Sequence, residues 1–236
     1  MGGCSLFDVK SLTLSDITKE IHHVFKLFNL TYFEGILSTP AITIQSNGHH
    51  RLSMGWCSTK PVWGTQDGSL QMYELNLSAE FMDQDFFETM DTVLHEMVHL
   101  YHLTIGIQDT SRKGAYHNKN FKQKVLELGF EYQEDKPHPT HGWSYARLGK
   151  EAKKKIEEMP IRKEIFVIAR HGYTYFKALA EGKDPAEVMS SGIINNNESS
   201  SKSIKWICSS CGVSVRAYNK NLNILCGDCD QRLEME

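Results

Sequence analysis

Three observations predict an α+β fold. Two long stretches carry apolar residues at helical spacing, short apolar segments between them read as strands, and two C-x-x-C pairs lie near the C-terminal end. In residues 15–37 the apolar positions are Ile17, Ile21, Val24, Phe25, Phe28, Tyr32 and Phe33; in 85–106 they are Phe86, Met90, Val93, Leu94, Met97, Val98 and Tyr101. Each set forms one stripe on a helix, so each helix faces a core. Segments 41–45, 51–57 and 70–77 read as strands of a small, mostly antiparallel sheet over the first helix.

The elements follow in order. The first helix ends near Gly35, and Pro40 precedes the first strand; Pro61, Gly64, Asp67 and Gly68 mark turns between the next two. Asp85 and Glu88 fit a capping box at the start of the second long helix. A polar loop, 108–116, leads to a shorter helix over 117–128, stopped by Gly129. A loop over 133–142 holds His138 and His141, and helical pattern returns over 147–158 and 161–181. The polar, Asn- and Ser-rich stretch 194–205 reads as a linker between a domain over 14–193 and a cysteine module over 206–236.

Composition bounds the function. A chain of 236 residues with 40% hydrophobic and 23% charged content supports one sizeable core and a small appended module. A net charge of −3 gives no global basic signal, so any nucleic-acid contact must come from a local patch. The run Arg147, Lys150, Lys153, Lys154, Lys155, Arg162, Lys163 is the best such patch, although Glu151, Glu157 and Glu158 are interleaved with it as on an ordinary solvated helix face. No apolar run approaches the roughly 20 residues that span a bilayer, and the first residues lack the pattern of a signal peptide. An intracellular, cytoplasmic protein with no membrane partner is expected.

The chemistry centres on His95-Glu96-Met97-Val98-His99. Residues four apart sit one turn above each other on a helix, so both imidazoles can reach one ion, with Glu96 beside them. Two histidines leave room on Zn²⁺ for a third ligand and a water, as in zinc hydrolases. His102 is a poor third ligand: it lies about 10 Å along the axis from His95. His117, after a loop that lets the chain double back, is favoured, with His141 second and His138 also in the loop. Glu96 would act as general base. Tyr116, Tyr145, His102 and His141 all remain open as donors to the oxyanion.

At the C-terminus, Cys208-x-x-Cys211 and Cys226-x-x-Cys229 read as two zinc knuckles eased by Gly212 and Gly227, with a hairpin through 213–216 and 223–225 between them. Four thiolates close the shell, so this second zinc is structural. A folding clip and a DNA-docking module, with Arg216, Tyr218, Lys220 and Arg232 as its surface, are both open.

These residues resemble the SprT-like metalloproteases, including eukaryotic Spartan. The resemblance rests on His95-Glu96-Met97-Val98-His99, on His117-Asn118-Lys119-Asn120-Phe121 eighteen positions later, on Phe28 to Phe33, on Gly55-Trp56 and on Leu75-Asn76-Leu77-Ser78. It covers about residues 15–130, and Asn118 stands where the family usually has Gly. The resemblance implies a zincin-like core with a zinc ribbon, His95, His99 and His117 on a catalytic zinc, and Glu96 as the catalytic residue. It further implies a zinc metalloendopeptidase whose substrates are proteins bound or crosslinked to DNA, with single-stranded DNA or DNA–protein complexes as partners and a nucleoid or nuclear location. A DNA-associated zinc adaptor without proteolytic activity, and a zinc hydrolase of small peptides or non-protein substrates, are the alternatives.

Overall fold

Thr13 opens the first helix, α1 (Leu14–Tyr32), by a reciprocal cap: its hydroxyl accepts from the Asp16 N–H while the Asp16 carboxylate accepts from its own N–H. Ile17, Ile21, Val24 and Phe28 then fall on one face and are fully buried. The helix stops short of the predicted end because Glu34 and Gly35 turn left-handed, with φ of 55° and 74°. Asn29 ties down the departing chain, donating from Nδ2 to the Leu37 carbonyl and accepting from its N–H. The computed structural model describes residues 8–46, 53–184, 187 and 203–235 and divides into two compact units, 1–170 and 171–236.

In the first unit, β1 (Ala41–Gln45), β2 (Gly55–Cys57), β3 (Trp63–Gly64), β4 (Gln71–Met72) and β5 (Glu74–Ser78) give a three-stranded sheet of order β1-β5-β2 and a β3–β4 hairpin. The expected α+β class holds, and every strand pairing among the described residues is antiparallel except β1 with β5. That exception has a simple cause. Leu75 and Leu77 are buried and make β5 the central strand, so β1 and β2, which run oppositely, must flank it on its two sides. The predicted strand over 70–77 splits at Tyr73 between hairpin and sheet, and Arg51 and Leu52 of the predicted 51–57 strand lie outside the described residues.

The second long helix, α2 (Phe86–Thr104), is capped by Asp85, whose carboxylate accepts from the Phe87 N–H at 2.9 Å. The expected box with Glu88 does not form; its carboxylate lies 3.9 Å from Arg147 instead. The predicted loop after α2 contains a hairpin of β6 (Thr110–Ser111) and β7 (Tyr116–His117), so His117 sits on a strand just before α3 (Lys119–Glu127) rather than opening that helix. Next, β8 (Phe130–Glu131) pairs with β9 (Arg147–Leu148), which takes the first turn from the helix predicted at 147; α4 (Lys150–Glu157) is the remainder.

The predicted helix over 161–181 is interrupted. Ile161, Ile165 and Phe166 are buried anchors of an irregular segment, and only α5 (Tyr173–Ala180), which falls in the second unit, is helical beyond a single 3₁₀ turn. One apolar core joins α1, β5, α2, α3 and the segment from Phe130 to Phe166. Much of the basic run is absorbed into this unit. Lys153, Lys155 and Lys163 lie over the rings of Phe87, Tyr32 and Phe86, and Arg162 pairs at 2.7 Å with the buried Glu20.

In the second unit, β10 (Ile204–Ile207), β11 (Ser214–Ala217) and β12 (Glu234–Met235) form an antiparallel sheet of order β11-β10-β12. The strand at 214–217 pairs with β10, not with 223–225 as expected. Residues 194–202 of the predicted linker, and Cys4, lie outside the described residues. Among the described residues no helix is long and apolar enough to cross a membrane.

Candidate metal centre

Helix α2 presents His95 and His99 one turn apart on its cleft side, and β7 brings His117 to meet them. The Nε2 atom of His117 lies 3.1 Å from that of His95 and 3.1 Å from that of His99. Three nitrogens held about 2.0–2.1 Å from a tetrahedral zinc are about 3.3 Å apart, so the spacing fits that ion.

The partners of the outer ring nitrogens sharpen the test. His117 Nδ1 faces the His141 carbonyl at 3.3 Å, and His99 Nδ1 faces the Asp109 carboxylate at 2.7 Å. A carbonyl or carboxylate oxygen can only accept, so both Nδ1 atoms carry the protons and a neutral ring then turns a bare lone pair inward. Lone pairs 3.1 Å apart repel unless a cation lies between them. Burial, aided by the neighbouring histidines, holds His95 well below its ordinary pKa and takes His117 down to about 3. Burial acts on His99 too, but the Asp109 hydrogen bond and the Glu96 and Asp109 carboxylates outweigh it and raise its pKa, so a proton competes there with a metal.

Local chemistry explains how the site is held. Phe121 is fully buried with its ring centroid 4.7, 4.9 and 4.4 Å from those of His95, His99 and His117, an apolar plate under all three. Asn118 aims that plate by capping α3: its Oδ1 accepts from the N–H groups of Asn120 and Phe121, while Nδ2 donates to the Gln108 carbonyl. Its φ is −91°, so this position does not require the glycine that the family usually has. On the other flank, Gly142 has φ +63° and a Cβ there would stand 2.1 Å from the His117 carbonyl. Only glycine lets the 138–142 loop lie against β7, with Trp143 donating to the His117 carbonyl at 3.0 Å.

Glu96 is 6% exposed. Burial, reinforced by Asp109, lifts its pKa to about 7. Strand β2 can lie this close because residue 55 is Gly: a Cβ would meet the Asn76 carbonyl at 2.8 Å, Thr92 at 2.9 Å and Glu96 at 3.3 Å. These groups open into a cleft of about 980 Å³, lined also by Trp56, Asp109, Tyr145 and Arg147.

Asp109 is the residue that sequence reasoning missed. Its Oδ2 also lies 3.2 Å from Nδ1 of the buried His102, which gives His102 a supporting place rather than a ligand's. Burial would raise the Asp109 pKa, but the hydrogen bonds from His102 and His99 overcome it and hold the carboxyl ionised well below the usual range. A carboxylate within ten residues of a candidate ligand was the available signal, because ligating histidines need an acceptor for the second N–H. His138 and His141 are stacked on each other with centroids 5.1 Å apart, and His141 meets His117 through its backbone carbonyl.

In the second unit Cys208, Cys211, Cys226 and Cys229 bring their sulfurs within 4.8 Å of one another. The Cys211 and Cys226 sulfurs are 3.6 Å apart, near the roughly 3.7 Å edge of a tetrahedron with 2.3 Å zinc–sulfur bonds. Backbone hydrogen bonds from Cys211 and Ser210 lower the Cys208 thiol to about 7. The left-handed residue follows the second cysteine of each pair: Gly212 at φ 74° and Asp230 at φ 52°, so it is Asp230, and not Gly227, that makes the second turn.

A model of the SprT-like family matches residues 21–163, a span that continues past residue 130 into the segment that closes over His117. No curated protein and no solved structure matches the chain.

Proposed function

The chain belongs to the SprT-like family, and from that premise we propose that it is a zinc-dependent endopeptidase with His95, His99 and His117 as ligands and Glu96 as general base. The observation that carries this reading is the convergence of three histidine Nε2 atoms beside a buried carboxyl in an open cleft. A zinc ion held by these histidines would supply Lewis acidity to a peptide carbonyl and to a water. The chain's own residues do the rest. Glu96, buried beside the three histidines, would take a proton from the water and return it to the leaving amine. Asp109 fixes the orientation of His99, and Phe121 keeps water from the opposite side of the rings. Tyr145, exposed on the cleft wall, is the favoured oxyanion donor among the four candidates, since His102 is engaged by Asp109.

The four cysteines are assigned a structural zinc. Proteins bound or crosslinked to DNA are the proposed substrates; the family resemblance supports this choice, and no residue of the cleft adds to it. The test incubates zinc-loaded protein with an unstructured protein and with a DNA–protein crosslink, with and without single-stranded DNA. Wild type is expected to cleave, and Glu96→Gln to lose about 10²–10⁴-fold while retaining both metals by elemental analysis. Equal cleavage by the two proteins overturns the mechanism; zinc binding and DNA binding with no cleavage of either substrate would favour the adaptor.

A further inference from the structure

The charged residues that line the cleft divide by depth. The acidic ones are buried: Asp91, Glu96 and Asp109 are 4%, 6% and 6% exposed. The exposed ones are all cations: Arg112 and Lys113 in the β6–β7 turn, and Arg147 on β9. A molecule entering the cleft therefore meets positive charge first, and meets it on two separate elements.

These cations are incompletely neutralised. Among the described residues Lys113 has no anionic partner. Arg112 donates to the Pro139 carbonyl at 2.8 Å and lies over the Tyr116 ring at 4.6 Å, contacts that place its guanidinium without cancelling its charge. Arg147 is the least free of the three: Nη1 donates to Asp91 at 3.5 Å and Nε lies 3.9 Å from Glu88, single long contacts that still leave its side chain 47% exposed. The turn is also held at a backbone cost. Arg112 and Lys113 have φ of 50° and 60°, a left-handed conformation that side chains other than Gly, Asn or Asp rarely adopt. The strand that leaves this turn ends at His117, and Arg147 stands beside Asp91, one helical turn before His95. The positive charge is thus built into the frame of the three-histidine site.

From this arrangement we propose that the cleft selects polypeptide segments with acidic side chains flanking the bond to be cut, Arg112 and Lys113 serving one such side chain and Arg147 another. The proposal rests on the peptidase reading of the same site. A peptide fits better than a nucleic-acid backbone: three cations at one cleft are few for a polyanion, and two lysines of α4, Lys153 and Lys155, are spent on Phe87 and Tyr32.

The test uses the full-length, zinc-loaded Glu96→Gln protein and fluorescein-labelled peptides of one sequence, with Glu, Gln or Lys on both sides of the central bond. By anisotropy at low salt the Glu peptide should bind about five- to tenfold more tightly than the Gln peptide, and the margin should shrink as salt is raised. Arg112→Gln with Lys113→Gln should remove much of that margin, and Lys113→Glu should shift preference towards the Lys peptide. Both sites are exposed, and circular dichroism verifies the fold. Equal binding of the three peptides, or a margin untouched by the substitutions, overturns the proposal. So does a single-stranded oligonucleotide that displaces the Glu peptide and loses its own affinity on the same substitutions. Catalytically competent protein separates the two readings. Equal cleavage of the Glu and Gln peptides keeps the peptidase and removes the acidic preference, whereas charge-selective binding with no cleavage of either peptide keeps the preference and removes the peptidase.

Discussion

The three-histidine site and the four-cysteine cluster gather metal-binding side chains in opposite ways. The histidines are mounted on a framework that has other reasons to fold: α2 carries eleven buried residues, and the core beneath it draws on α1, β5 and the segment to Phe166. The cysteines sit in a unit whose described core is Trp206, Cys208, Cys226 and Leu233, two of them candidate ligands. On the proposed reading, the histidine site leaves a coordination position open and is held by supports outside the ligand set: Asp109, the His141 carbonyl and Phe121. A closed Cys₄ site can be its own support.

Loss of a cysteine should be far more damaging to its unit than loss of a histidine is to its own. Cys208→Ser should leave residues 203–235 unfolded, because apparent binding energies of structural zinc reach about 10–16 kcal/mol and this core has little else. His95→Ala should leave the first unit folded. Hydrogen exchange resolved by segment checks both; loss of protection throughout 14–166 in His95→Ala would refute the contrast.

A pH measurement sharpens it. Asp91 accepts from the Leu148 N–H at 2.9 Å, but burial prevails and raises its pKa from 3.8 to about 6. Its protonated form is thus favoured by folding. The corresponding stability is complete below pH 3.8 and is lost as pH rises through 6, by at most about 3 kcal/mol. Asp91→Asn should flatten this part of the denaturation profile of the first unit; an unchanged slope between pH 4 and 7 would contradict the assignment.

Smaller effects follow at the supports. Asp109→Asn should weaken zinc at the histidine site about 10–100-fold in a competition titration and leave the cysteine site unchanged. Asn118→Ala removes a cap and should cost about 1 kcal/mol of stability, with zinc retained. If Asn118→Ala cost more zinc affinity than Asp109→Asn, the proposed division between orienting a ligand and bracing the helix would be wrong.

Local and periodic features could be read from the residues alone. The i, i+4 pair on an amphipathic helix required only helical geometry, and each C-x-x-C needs only one tight turn. The helix cap at Asp85 and the buried faces of α1 and α2 were legible for the same reason. Whatever depended on chain segments meeting was not. Nothing in residues 108–117 announces a hairpin, because two-residue strands carry no usable periodicity, so the strand position of His117 emerges only when Thr110 faces it. The parallel β1–β5 pairing followed from which strand was buried on both sides, and the helical pattern over 161–181 was overruled by the burial of Ile165 and Phe166. Asp109 could be named as an acid near a candidate ligand, but only the tertiary structure set it 2.7 Å from His99 rather than in solvent. Spacing fixes which groups can share a face; packing decides which groups from elsewhere complete them.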